Sequence, residues 1–485
     1  MRAAGKVDVE RIRATVGALV KAHDLPGLAV GVVSGDDLVY AEGFGFADIE
    51  SRRPQDPALR QRIGSITKTM LGLCTMALVE EGKLSLDDRV VDRLPEVEFQ
   101  GPAETLAIRH LLTHTGGIGE APTMDDFLVP HDVLWSDTLF TQTMRHAYPR
   151  GISIEATPGT KWAYANHGFA LLGQIVAQIE GAPIEEVLHA RIFGPLGMTD
   201  TDCHDRPHAD LTTGYHRVPS DDELDVMALL GRDATAEDPV DGVNIRGRYQ
   251  YVRPRAAGAV QSSIIDMAKY ASALIRKGGG IVQPSTFEEM VSPHWCPDGR
   301  LGSVGLTFFR KERFGRQTFG HGGGIVGGWN THITVVPEAE VAVLTHLNLS
   351  FEQFSRVEGG VLQAVLGASG RELPAKLPIA KGILESACGV YEPSPGHLTN
   401  FRTTRGTGLV EVSERDGELT LRARRGIWRR GVPMTRATAD DPTLFVLDQG
   451  EPEPPLVAFT LSPQGAVDGL RFDRLVEMQR VRPRA

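Results

Sequence analysis

Apolar positions recur along this chain with two periods, and the change from one to the other divides it. Val9, Ile12, Val16, Leu19 and Val20 fall at helical spacing, with Asp8 as a cap and Pro26 as a stop. Gly27–Val33 is an unbroken apolar run, Gly35-Asp36-Asp37 a turn and Leu38–Phe46 a second strand, which predicts a hairpin. Met70, Leu71, Leu73, Met76, Ala77 and Leu78 predict a helix ended by Gly82, and Gly168–Ile179 predicts another. Residues 205–255 are polar and acidic, rich in Pro, Gly and Asp, and read as a long loop or insertion of the kind that borders a site. Helices are expected over 262–274, 285–291 and 352–366, and strands over 301–309, 316–319, 329–336 and 341–347. Past a linker at 371–382 the period becomes two. Gly408–Ser413, Leu419–Ala423, Thr443–Leu447, Leu456–Ser462 and Leu470–Val476 are short strands with turn residues between them. The pattern predicts an α+β domain over 1–370 and a small all-β barrel over 383–485.

Composition narrows the function. The 485 residues suit two domains, and a formal net charge of −11 argues against a nucleic-acid partner. The late basic run (Arg422, Arg424, Arg425, Arg429, Arg430) alternates with apolar residues, as the exposed face of a strand pair does. Cys74, Cys203, Cys296 and Cys388 lie too far apart for a zinc site or a disulfide framework, so free thiols are expected. His110 and His114 stand at i, i+4 but lack a neighbouring glutamate or a third ligand, which favours capping or structural roles over a metal. No metal and no cofactor is expected. The first residues carry charge with no apolar core behind it, and no uncharged run is long enough for a bilayer. A soluble cytoplasmic protein is the expectation, with a small-molecule or peptide substrate and a homo-oligomer formed through the barrel as a further one.

The candidate chemistry begins at Ser65-Ile66-Thr67-Lys68, where a hydroxyl and an amine three residues apart share one helical face at an apolar helix start. A serine needs a neighbour to take its proton before it attacks a carbonyl, and Lys68 is placed to be that neighbour. Tyr164-Ala165-Asn166 adds a phenol and an amide, and His321-Gly322-Gly323-Gly324 adds an imidazole among glycines that let backbone approach a ligand. One Ser-x-x-Lys alone means little; three such elements in this order mean more.

Together they resemble the serine β-lactamase and penicillin-binding-protein superfamily, in the branch of class C β-lactamases, D-alanyl-D-alanine carboxypeptidases and family VIII esterases. Ile108-Arg109-His110-Leu111-Leu112-Thr113-His114-Thr115 and Phe193-Gly194-Pro195-Leu196-Gly197-Met198 extend the match over roughly residues 10–370. The C-terminal module resembles the lipocalin-like barrel appended to some such domains. The resemblance implies an antiparallel sheet flanked by helices, with a helical subdomain. It implies Ser65, Lys68 and Tyr164 as catalytic residues, and Asn166, His321, Gly322, Gly323 and Gly324 as substrate-binding ones. The N–H groups of Ser65 and Gly324 would form the oxyanion hole. Where many relatives carry a permanent lysine cation, this chain has His321, mostly neutral at pH 7. That favours esters, amides or short peptides, D-residue-containing ones included, over carboxylate-anchored β-lactams. The implied function is a serine hydrolase working through an acyl-enzyme. An acyltransferase or peptide cyclase, like the thioesterases that release nonribosomal peptides, is the first alternative, and a β-lactam-binding sensor or inactive binding module the second.

Overall fold

The computed structural model describes residues 7–128, 134–136, 138, 143–218, 238–350, 353–370, 377–394, 408–424, 428–473 and 476–481. Parts of the polar insertion (219–237) and of the linker (371–376), and Arg425 of the basic run, lie outside the described residues. Numbering only the strands of the main sheet and the barrel, β1 (Gly27–Ser34), β2 (Asp37–Asp48), β3 (Arg53–Pro54), β4 (Ser303–Val304), β5 (Phe309–Arg313), β6 (Arg316–Ile325), β7 (Trp329–Val336) and β8 (Val341–Leu347) form one antiparallel sheet. Its order is β4-β5-β6-β7-β8-β1-β2-β3, so the first hairpin docks beside β8, from Leu28↔Leu347 to Ser34↔Val341.

The unbroken apolar run of β1 is explained by helices on both faces. Leu28, Val30 and Val32 pack with Ile12 and Val16 of α1 (Val9–Ala22) and with Val357 and Val361 near the C-terminal end of the domain. Ala29 and Val33 share the opposite core with Met70 of α2 (Thr67–Glu80), Phe169 of α3 (Asn166–Glu180) and Ile264 of α4 (Ile264–Ile275). Val357 and Val361 belong to α5 (Phe354–Leu366). The caps follow the sequence signals: Asp8 accepts from Arg11 N at 3.0 Å, and Ser263 from Asp266 N at 3.1 Å.

Two expectations are corrected. The strand expected over 301–309 breaks after Val304, because the next backbone groups bond elsewhere: Leu306 N donates to Met290 O at 2.8 Å and Thr307 N to Leu112 O at 3.0 Å. The insertion is more than loop, since it carries short strands at Tyr215–Arg217, Asn244–Arg246 and Tyr251–Val252.

Eight strands close the C-terminal barrel: β9 (Gly389–Pro393), β10 (Val410–Arg415), β11 (Glu418–Ala423), β12 (Val432–Arg436), β13 (Leu444–Leu447), β14 (Leu456–Leu461), β15 (Val467–Phe472) and β16 (Glu477–Arg480). Each pairs with the next, and Tyr391↔Arg480 seals β9 to β16. The pattern of the sequence finds five of these strands. It misses β9, β12 and β16, which are short and mix Pro or charge into the apolar alternation. Tyr391, Leu421, Phe445, Phe459 and Leu470 fill the interior.

The barrel lies against the sheet through charge. Lys311 reaches Asp473 at 2.7 Å, Arg300 reaches Asp441 at 2.7 Å and Lys161 reaches Glu477 at 3.0 Å. Arg313 is the most buried link, held between Glu358 of α5 at 2.6 Å and Glu453 of the barrel at 2.7 Å. Burial by itself would raise the Glu358 carboxyl, but the adjacent Arg313 outweighs it and holds the group down to about 2.

Candidate active site

Gly64 sets the local geometry. Its φ of 55° is a left-handed conformation open to glycine, and Gly64–Ile66 then make one 3-10 turn ahead of α2. Ser65 therefore precedes the α-helix rather than sitting in its first turn, which corrects the sequence expectation. The pairing with Lys68 survives. Lys68 is fully buried, and its Nζ donates to Ser65 Oγ at 2.9 Å, Asn166 Oδ1 at 2.8 Å and Ala257 O at 2.7 Å. Nζ also lies 5.0 Å from the Tyr164 ring centroid and 5.5 Å from that of Phe169.

Asn166 opens α3 and is 8% exposed, so the amide is carried into the core at the start of a largely apolar helix. Tyr164 stands just before it, stacked on His114 with ring centroids 4.2 Å apart. His114 leaves the helical path with a φ of 57° and accepts from Ala165 N at 3.1 Å. His110 instead caps its own helix, accepting from Ala107 N at 3.1 Å. The two histidines thus diverge, and among the described residues no group of three His, Cys, Asp or Glu could hold a metal.

Strand β6 completes the site. Its pairing with β5 stops at Phe309↔Gly320, whereas its pairing with β7 runs on to Ile325↔Trp329. Among the described residues β6 keeps one strand neighbour beyond Gly320, which leaves its other edge able to pair with an extended ligand. Glycine is required where this strand meets the serine turn. A Cβ at Gly323 would fall 1.9 Å from Ile63 O, and one at Gly64 would fall 2.9 Å from Gly324 N.

His321 is 2% exposed, and its Nδ1 lies 2.6 Å from Gly322 O, so Nδ1 carries the proton and donates. Burial, and then the charge of Lys68, push His321 down to about 3, which leaves it neutral. Burial likewise takes His346 to about 3 and His167 to about 4. All three have folded values below the 6.5 of an unperturbed histidine, so the unfolded chain binds more protons. Their contribution to stability is complete above about pH 6.5 and is lost as pH falls through the folded values. The melting temperature is expected to drop steadily between about pH 6.5 and pH 4; a flat profile across that window would contradict the buried neutral state.

The structure thus gathers Ser65, Lys68, Tyr164 and Asn166 around one amine, with His321–Gly324 along the adjoining strand. Sequence reasoning left out three contributors. Ala257 acts through a backbone carbonyl, which leaves no residue signature. His114 was visible as a structural histidine, but its stacking on Tyr164 was not. Trp162, whose ring lies 6.4 Å from Tyr164 and 6.2 Å from Phe309, walls the site and had no motif to mark it.

A helix-flanked antiparallel sheet with a serine, a lysine and a tyrosine clustered beside it defines a protein of the beta-lactamase fold. The family profile described as Beta-lactamase matches residues 12–367, and the chain belongs to that family. It is 26% identical over 286 residues to the putative penicillin-binding protein PbpX of Bacillus subtilis, covering 57% of this chain and 60% of that protein. Over 185 residues it is 28% identical to protein flp of Staphylococcus aureus, spanning only 36% of that protein's length. Among solved structures, the octameric penicillin-binding protein homologue from Pyrococcus abyssi aligns with a TM-score of 0.61 and 25% identity, over 97% of this chain and 99% of that one. The D-amino acid amidase from Ochrobactrum anthropi SV3, bound to D-phenylalanine, aligns with a TM-score of 0.61 and 24% identity, over 74% and 98%. Among the described residues, no helix is long and apolar enough to cross a membrane.

Proposed function

We propose that this protein is a serine hydrolase in which Ser65 forms an acyl-enzyme with esters, amides or short peptides. The observation that carries the reading is the 2.9 Å contact between Ser65 Oγ and the fully buried Lys68 Nζ. A neutral lysine has two N–H groups and one lone pair. Asn166 Oδ1 and Ala257 O stand ready to take both N–H groups, which turns the lone pair toward Ser65. This supports Lys68 as the acylation base, with Tyr164 protonating the leaving group and activating the deacylating nucleophile. The closeness of Gly324 N to the serine turn supports an oxyanion hole of the Ser65 and Gly324 amides; one such donor is worth about 3 kcal/mol.

Neutral, buried His321 offers no cation for a substrate carboxylate, which favours substrates recognised without one. The likeness to a D-amino acid amidase makes amides of D-residues the first class to try. The test is intact-protein mass after mixing with p-nitrophenyl acetate, D-phenylalanine amide or penicillin G. An ester or amide adduct, or turnover, with little reaction of the lactam is expected. Stable penicillin acylation without turnover would replace this reading with a sensor.

We further propose that residues 1–370 and 383–485 are separate folding units joined at 371–382, and that the barrel tunes substrate choice. The support is its contact with the tyrosine loop, where Glu477 holds Lys161 at 3.0 Å, three residues before Tyr164. Deleting 380–485 is expected to change relative rates among substrates more than it removes labelling of Ser65 by a serine-reactive probe. A folded truncation that no longer labels would contradict this. Assembly into a homo-oligomer is proposed on the likeness to the octameric homologue.

A further inference from the structure

Three residues before Ser65, a fully buried ion pair ties the nucleophile strand to the polar insertion. Arg62 Nη2 donates to Asp205 Oδ1 at 2.8 Å, and both side chains are 0% exposed. Arg62 Nη1 donates to Gln250 O at 2.7 Å, and its guanidinium lies 4.3 Å from the Tyr249 ring centroid. Asp205 accepts from Tyr249 Oη at 3.0 Å and from Val252 N at 2.5 Å. Tyr249 Oη in turn accepts from Gln261 Nε2 at 3.0 Å. Burial raises the Asp205 carboxyl above its ordinary range against the pull of Arg62, so the pair stands under a desolvation load.

The segment held this way ends at Lys68. From Val252 the chain passes Pro254 into the short helix Arg255–Gly258, whose Ala257 N donates to Pro254 O at 2.7 Å. Ala257 O is the acceptor 2.7 Å from Lys68 Nζ. The far end is tied back as well: Ile63 N donates to Val260 O at 3.0 Å, Val260 N to Thr67 Oγ1 at 3.2 Å, and Gln261 pairs with Arg62. Residues 250–261 therefore form a loop around the serine turn, fixed at one end by Arg62–Asp205 and at the other by the Arg62–Gln261 pairing.

We propose that Asp205 and Arg62 are positioning residues, holding the Ala257 carbonyl where it orients Lys68 toward Ser65. This rests on the reading of Ser65 as nucleophile and Lys68 as its proton acceptor. A merely structural pair predicts something different. Replacing a buried ion pair by apolar residues of similar size often leaves stability intact, so charge here is separable from fold. The positioning is not separable, because apolar side chains cannot hold Gln250 O or Val252 N.

The test is the double substitution Arg62→Met with Asp205→Leu. Melting temperature and circular dichroism check the fold, while the rate of Ser65 acylation by p-nitrophenyl acetate is followed from pH 5 to 10. The variant is expected to fold with unchanged KM and to acylate about tenfold more slowly, as when a charged donor gives up one acceptor. Ala257 O favours the ammonium form of Lys68, so its displacement moves the acid limb of the pH–rate profile to lower pH by about one unit. A folded variant with wild-type rate and unmoved profile overturns the proposal. If the double variant fails to fold, Tyr249→Phe removes one donor to Asp205 and leaves the pair in place. It should slow acylation about threefold with a limb shift of the same sign, and an unmoved profile again overturns the proposal. Wild-type protein that forms no Ser65 adduct would refute the underlying reading instead, and the positioning role would fall with it.

Discussion

Ser65→Ala is expected to abolish covalent labelling and to lower turnover by about 10⁴-fold or more, the scale on which removing a serine nucleophile acts. The reason is local. Lys68 Nζ donates to Ser65 Oγ, Asn166 Oδ1 and Ala257 O, and of these Ser65 Oγ is the one that can become an acyl carrier. Alanine at 65 keeps the turn, because Gly64 supplies the left-handed residue and Thr67 Oγ1 still donates to Gly64 O at 2.7 Å. The variant should therefore fold, melt near the wild-type temperature and bind substrate without consuming it. Intact-protein mass and ester turnover measured on one preparation decide the matter. An adduct of equal yield on the alanine variant would move the nucleophile elsewhere and remove most of the proposed function.

Arg313→Leu should produce the largest loss of stability, about 3–5 kcal/mol, because it leaves Glu358 and Glu453 buried without their shared cation. Arg313 is 12% exposed, Glu358 6% and Glu453 8%, so water cannot replace the partner. The loss would have two parts. Glu358 would keep Thr334 Oγ1 at 2.9 Å and His332 Nδ1 at 3.5 Å, and Glu453 would keep Phe314 N at 2.5 Å. The barrel would lose its most buried tie to the sheet. Thermal unfolding is expected to show a lower and broader transition, with the barrel released first. Adding Glu358→Gln and Glu453→Gln should recover a large part of the loss, because no uncompensated charge then remains. A single variant that melts within a degree or two of wild type would show that the barrel is held by its apolar contacts on Leu301 instead.

Elements with strong periodicity were legible from the chain alone. Strands β7 and β8 fall where the apolar runs place them, as does α1 with its Asp8 cap, since each buries a face that the pattern itself declares. Strands β9, β12 and β16 were not legible. Each is four or five residues long and contributes one or two interior side chains, so neighbours across the barrel define it more than its own sequence does. The break after Val304 escaped for a related reason. Its cause is a pair of carbonyls, at Met290 and Leu112, from parts of the chain that periodicity cannot relate.

The site divides in the same way. Sequence by itself determined the nucleophile candidate, the lysine at i+3, the tyrosine–asparagine pair and the glycines after His321, because each is a side-chain identity at a short spacing. It also determined that position 321 is a histidine rather than a permanent cation. Only the tertiary structure decided that His321 is buried and held neutral, that β6 pairs on one side alone beyond Gly320 among the described residues, and that Lys68 Nζ donates to a backbone carbonyl. It alone joined Arg62 to Asp205 across 143 residues of chain. The physical reason is that protonation, desolvation and orientation depend on what surrounds a group in space, and folding brings those surroundings from positions that share no local pattern.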